Sequence, residues 1–171
     1  MSQELGGRLQ RLEDIQAIQV VKWRYLRACD DKNPERVRAC FTVDALIDYE
    51  GFPVFRERDA FVRGFEKMGC VPHLLDMHHG QNPVVEVNGD TARGWFDLLF
   101  FQIDTQARRQ TQLAIAYDDS FVRQDDGQWL IARTVCRRRS MLVRELGEDA
   151  LERVILAARS DHPGEAAPPR G

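Results

Sequence analysis

The pair Asn88-Gly89, set between the apolar run Val84-Val85-Glu86-Val87 and a strand-forming stretch from Thr91, most constrains how this chain folds. Asparagine and glycine tolerate the positive φ that a type I′ turn requires at both central positions, so the two runs must return on each other as an antiparallel hairpin. The strand opened at Thr91 runs through Trp95 to Phe101, and another spans about Gln112 to Val122. After the turn Asp125-Asp126-Gly127, a last strand runs from Trp129 towards Val143. The second half of the chain therefore reads as an antiparallel meander.

The first half has a different period. Leu9, Leu12, Ile15, Ile18, Val21, Tyr25 and Cys29 recur at three- or four-residue steps, which marks an amphipathic helix ending near Asp30-Asp31-Lys32. Asn33-Pro34-Glu35 reads as an N-cap with proline at the first helical position, opening a short helix through Phe41. A strand at Leu46-Ile47-Asp48-Tyr49 turns at Glu50-Gly51, and Phe61, Phe65 and Met68 define a third helix that stops at Gly69. Helices first and strands afterwards give an α+β class, with the helices on one face of the sheet and room for a small molecule between them. At 171 residues, with no linker, the chain is expected to form one domain over residues 1–145. Leu151, Val154, Ile155 and Ala158 predict a C-terminal helix within 146–160, and the Pro-, Gly- and Ala-rich stretch 161–171 is expected to be a disordered tail.

Charge and cysteine usage narrow the function classes. A formal net charge of −3 gives no broad basic footprint for nucleic acid. No apolar run approaches the ~20 residues of a membrane span, and the N-terminal stretch has no secretory apolar core. The 4 cysteines (Cys29, Cys40, Cys70, Cys136) lie far apart with no CxxC pair, so a reduced, cytoplasmic protein is expected. Neither a GxSxG elbow, a phosphate loop nor a GxGxxG run is present.

Three places carry chemistry. His73, Asp76, His78 and His79 fall in one segment, but strand alternation sends His78 and His79 to opposite faces, which argues against one shared metal. On the residues alone, His78 fits either a hydrogen-bonded core residue or a general base facing a pocket. Tyr25 with Asp30 fits either a core tyrosine and a polar helix end, or a hydrogen-bond donor with a carboxylate that orients a histidine. In Arg137-Arg138-Arg139, alternation places Arg138 with Ala132, Thr134 and Cys136, and its neighbours with Trp129, Ile131 and Val135. The triplet reads as a solvated run or as one arginine reaching a substrate oxygen.

Taken in order, several segments resemble the SnoaL-like group of the nuclear transport factor 2-like fold. They are Arg24-Tyr25-Leu26-Arg27-Ala28-Cys29-Asp30, Cys40-Phe41-Thr42-Val43-Asp44-Ala45 and Met77-His78-His79-Gly80-Gln81-Asn82-Pro83. The hairpin around Asn88-Gly89 and the closing Asp126-Gly127-Gln128-Trp129 fit as well. The resemblance implies a cone-shaped fold, with N-terminal helices on a curved antiparallel sheet that encloses a pocket. Within the group the chain is most similar to bile-acid 7α-dehydratase and scytalone dehydratase-type lyases. That similarity implies catalytic roles for Tyr25, Asp30 and His78 and substrate contacts from Tyr49 and Arg138, with no cofactor and no metal.

The activity so implied is a cofactor-independent dehydratase acting on a hydroxylated, carbonyl-bearing alicyclic compound such as a steroid or polyketide, possible substrates including coenzyme A thioesters. An isomerase or cyclase using the same His–Asp pair is the alternative within enzymes, and a non-catalytic small-molecule binder the alternative outside them. Sheet pairing in the group implies a homo-oligomer.

Overall fold

The computed structural model describes residues 2–147, with side chains from Glu4 onward. A long helix, α1 (Ser2–Asp30), is followed by the short α2 (Pro34–Arg38), the strand β1 (Phe41–Tyr49) and the helix α3 (Arg58–Gly69). Four long strands complete the fold: β2 (Leu74–Asn88), β3 (Thr91–Asp104), β4 (Arg109–Arg123) and β5 (Trp129–Glu145). They form one sheet in the order β1-β5-β4-β3-β2, with α1 packed along β2 and β5. The α+β architecture is the expected one, with a mixed rather than wholly antiparallel sheet, because β1 runs parallel to β5. Leu146 and Gly147 are not helical; the rest of the helix predicted over 146–160 and the tail 161–171 lie outside the described residues. No helix among the described residues is long and apolar enough to cross a membrane.

Local chemistry explains the joints. At the end of α1, Asn33 N–H bonds the Ala28 carbonyl and Lys32 N–H that of Cys29, a Schellman closure with Lys32 at φ 54° in the left-handed position. Asn33 then caps α2, its side chain accepting from Arg36 N–H at 3.0 Å, with Pro34 at the first position as predicted. α2 stops at Arg38 rather than Phe41, because Phe41 is fully buried and pairs with Ile131 of β5. The predicted hairpin forms one residue later in the chain. Asn88 pairs with Thr91, and the turn is Gly89-Asp90 with positive φ at Gly89 alone, the pattern of a type II′ turn.

Two bulges reset the parity of β5. Register shifts leave Ala132 and Arg139 outside the pairing with β4. Trp129 and Ile131 therefore share the face of Thr134, Cys136 and Arg138, not the face of Arg137 assigned by simple alternation, and both are buried.

The core lies between α1 and this face. Ile18, Val21, Tyr25, Leu26 and Cys29 bury against a layer that includes Phe96, Phe121 and Ile131. Leu9 and Leu12 continue the stripe but stay exposed, as does Met68 on α3. Lys22, which sits inside the buried stripe, reaches Asp119 at 2.7 Å, and both side chains are fully buried.

Towards its N-terminal half, α1 is tied to the sheet by Asp14. Its two carboxylate oxygens each accept from Arg123 at 2.7 Å, and Oδ1 also accepts from Trp129 Nε1 at 3.2 Å. The Arg123 guanidinium holds the Asp14 carboxyl below its ordinary value of 3.8. At the other half of α1, Gly80 of β2 allows close contact: a Cβ there would stand 2.7 Å from Leu26 Cδ1 and 3.6 Å from Trp23 Cδ1.

Asp14→Ala should lower stability by about 2 kcal/mol, since the hydrogen bonds lost involve charged groups. A carboxyl whose folded pKa is depressed stabilises above its unfolded value and loses that contribution as pH falls through the folded pKa. Urea melts should therefore show the gap between wild type and variant, full at neutral pH, shrinking as pH falls below the ordinary carboxyl value of 3.8. Gly80→Val should cost about 1–3 kcal/mol by overpacking, read in the same melts.

Candidate active site

β2 is one of the two edges of the sheet, and its alternate residues Asp76, His78 and Gly80 face α1. Asp30, the last residue of α1, meets this strand. Its Oδ1 lies 2.5 Å from His78 Nδ1, and its Oδ2 accepts the His78 backbone N–H at 3.2 Å. An edge strand has an unpaired row of N–H groups, so a side-chain carboxylate can take one and be fixed by it. The two bonds hold carboxylate and imidazole in one relative orientation. The ring of His78 packs against Phe100, its partner across β3, with centroids 4.6 Å apart. His79 points to the opposite, exposed face, as alternation predicts.

A cavity of about 720 Å³ opens between the C-terminal half of α1, the segment before β2 and β2 itself. Asp30 and His78 line it, together with Trp23, Leu26, Arg27, Lys32 and Asp76 among others. Lys32 and Asp76 form a second pair beside the first. The Lys32 ammonium meets Asp76 Oδ2, and Gln102 donates to Asp76 Oδ1 at 2.7 Å. The sequence reading passed over this pair. The available signal was the position of Asp76 two residues before His78, which in a strand puts both on one face.

The remaining predicted residues form a separate group. Tyr25 is buried and its hydroxyl lies 2.6 Å from that of Tyr49. Tyr49 packs edge-on against Tyr117, and the Lys22 ammonium sits 3.3 Å from the Tyr117 ring centre. Burial pushes the hydroxyls of Tyr25, Tyr49 and Tyr117 well above the ordinary tyrosine value, so they stay protonated and act as donors. Neither Tyr25 nor Tyr49 lines the 720 Å³ cavity. Arg138 shares their face of the sheet, pairing with Ile115 in register. Its guanidinium is bound to Glu50 Oε1 at 3.3 Å and its backbone N–H to Glu50 Oε2 at 2.9 Å. The structure thus joins Asp30 to His78 and Tyr25 to Tyr49, and holds Arg138 at the turn after β1.

Cys136 is buried and its thiol is pushed up to about 11 by that burial, which suits a packed side chain rather than a nucleophile. Among the described residues, no three of His, Cys, Asp or Glu gather as a metal site would require.

The arrangement resembles known structures across most of its length. A hexachlorocyclohexane dehydrochlorinase, LinA-type3 from Novosphingobium barchaimii, superposes with a TM-score of 0.71 at 22% identity, over 80% of this chain and 94% of that one. A type 2 form of the same dehydrochlorinase gives a TM-score of 0.72 at 19% identity, over 92% and 99%. A nuclear transport factor 2-like protein with a cystatin-like fold from Novosphingobium aromaticivorans gives 0.63 at 22% identity, over 79% and 88%. These likenesses establish the nuclear transport factor 2-like fold. The family model of the SnoaL-like domain matches residues 10–135, which takes in α1 from Gln10 onward, the sheet up to Val135 of β5 and both members of the Asp30–His78 pair. With that match covering most of its length, the chain belongs to the SnoaL-like domain family.

Proposed function

We propose that the protein is a cofactor-independent lyase, a dehydratase acting on a hydroxylated, carbonyl-bearing alicyclic compound of the steroid or polyketide kind. The observation that carries this reading is the 2.5 Å contact between His78 Nδ1 and Asp30 Oδ1 at the wall of a cavity. A carboxylate at Nδ1 selects the tautomer protonated there, which leaves Nε2 as the basic nitrogen. In this reading His78 removes a proton made acidic by a neighbouring carbonyl. Asp30 stabilises the imidazolium that results. Tyr25, kept neutral by burial and paired with Tyr49, would donate to the departing hydroxyl, and Arg138 would hold an anionic group. Both roles require the substrate to reach past the wall of the His78 cavity, which neither residue lines. Support also comes from the dehydrochlorinases of the same fold, which by name eliminate hydrogen chloride from a six-membered ring. Proton abstraction next to a leaving group is a chemistry the two cases would share.

The outer face of the sheet bears on assembly. Met77, Leu99 and Leu142 share the side facing away from α1 and are exposed. An apolar patch of this kind supports the reading that the protein is a homo-oligomer paired through the sheet.

Hydroxylated cyclic ketones, among them 3-oxo steroids and their coenzyme A thioesters, test the activity by absorbance and product mass. Wild type should generate conjugated absorbance with loss of water, and His78→Ala should be slower by about 10²–10⁴-fold. A product of unchanged mass would place the chemistry with isomerases or cyclases, and a fully active His78→Ala would remove the base. For assembly, light scattering should show an oligomer that Leu99→Glu with Leu142→Glu reduces to monomer.

A further inference from the structure

The proposed acid and substrate contacts, Tyr25, Tyr49 and Arg138, lie outside the cavity that the His78–Asp30 pair lines, whereas a second charged pair lies inside it. Lys32 follows Asp30 by two residues, and Asp76 precedes His78 by two on the same face of β2. Two residues along a strand span about 7 Å, so the two pairs stand as neighbours on one face of β2 across the α1–β2 junction.

Several features point away from a simple surface contact. The Lys32 and Asp76 side chains are only 10% and 8% exposed, yet both border the cavity. Both oxygens of Asp76 are committed, one to Gln102 and one to Lys32, so the carboxylate is fixed as an anchor rather than offered to a ligand. Lys32 also occupies the left-handed position of the helix closure, where glycine or asparagine is favoured and a lysine side chain adds strain. Strained backbone retained at the wall of a cavity is a mark of functional placement.

We propose that Lys32 is a substrate-contacting cation: its ammonium, anchored by Asp76, receives a carbonyl or carboxylate oxygen of the substrate while His78 acts on the adjoining carbon. This rests on the reading of His78 as a base. When His78 takes the α-proton, the carbon–hydrogen electron pair moves into the carbonyl and negative charge collects on its oxygen. A fixed ammonium there stabilises that charge as it develops. The ligand class is thus an alicyclic compound bearing a carboxylate or ketone oxygen.

Calorimetric titration with cyclohexanecarboxylate, with the neutral cyclohexanecarboxamide as control, tests the assignment directly. Lys32→Gly with Asp76→Asn suits the left-handed backbone, removes both members of the pair together and preserves net charge. The carboxylate should bind wild type and should bind this variant at least tenfold more weakly, with Lys32→Arg in between and the amide indifferent to all three. Equal carboxylate affinity in wild type and the double variant, or no carboxylate binding to wild type, would overturn the proposal. Exchange of the α-protons of cyclohexanone in deuterated water, followed by NMR for wild type and His78→Ala, judges the base separately. Exchange independent of His78 alongside carboxylate binding that needs Lys32 would sink the base and leave the cation site standing. Exchange that needs His78 alongside binding indifferent to Lys32 would do the reverse.

Discussion

The contact between the last turn of α1 and the edge strand β2 fixes the Asp30–His78 pair at the wall of the cavity. A helix end supplies the carboxylate of Asp30 and a sheet edge supplies the imidazole of His78. Neither would be oriented without the other, because an edge strand alone offers its side chains and N–H groups to water. The approach is close since Gly80 has no side chain to hold Leu26 and Trp23 away. The same junction brings Lys32 to Asp76, so one packing event sets two charged pairs at once.

Further into the core, Lys22 and Asp119 form a different kind of constraint. Burial pushes the Lys22 amine down and the Asp119 carboxyl up, each towards its neutral form, and their mutual contact works against both shifts. A buried pair of this kind contributes little net stability, since the desolvation of two charges offsets their attraction. Its effect is selective: any sliding of α1 over β4 would strand a charge in an aromatic layer of Phe96 and Tyr117. The tyrosine group containing Tyr25 and Tyr49 is built around this fixed point.

Much of this was readable from residues, and the parts that were not have identifiable causes. The Asn33-Pro34 cap and the hairpin near Gly89 are local, set by backbone preferences that travel with the residue type. The Asp30–His78 contact was reached through resemblance, since two residues 48 apart leave no local trace of their meeting. Parity along β5 failed at Ala132 because a bulge is decided by the neighbouring strand, and alternation counted along one strand cannot register it. Lys22 hid among apolar neighbours at helical spacing, its partner Asp119 lying nearly a hundred positions away. Phe41 shows the same limit in small: local pattern extended α2 over it, and pairing with Ile131 made it the start of a strand.

The parallel pairing of β1 with β5 has a consequence for how the molecule comes into being. Phe41 meets Ile131 and Tyr49 meets Cys136, so β1 must wait for almost the whole sheet before it can be placed. Contacts of such long sequence separation carry a large loop-closure cost before they give any return, and they slow folding. The hairpins of β2 to β5, joined by short turns, can form early as a unit. During synthesis, α1 and β1 emerge first; α1 can dock once β2 has formed, whereas β1 has no strand of the sheet to pair with until β5 emerges. The Asp30–His78 junction is open to assembly once β2 and β3 exist, whereas Tyr49 is positioned only at the final step. The two halves of the candidate site are therefore completed at different stages of folding.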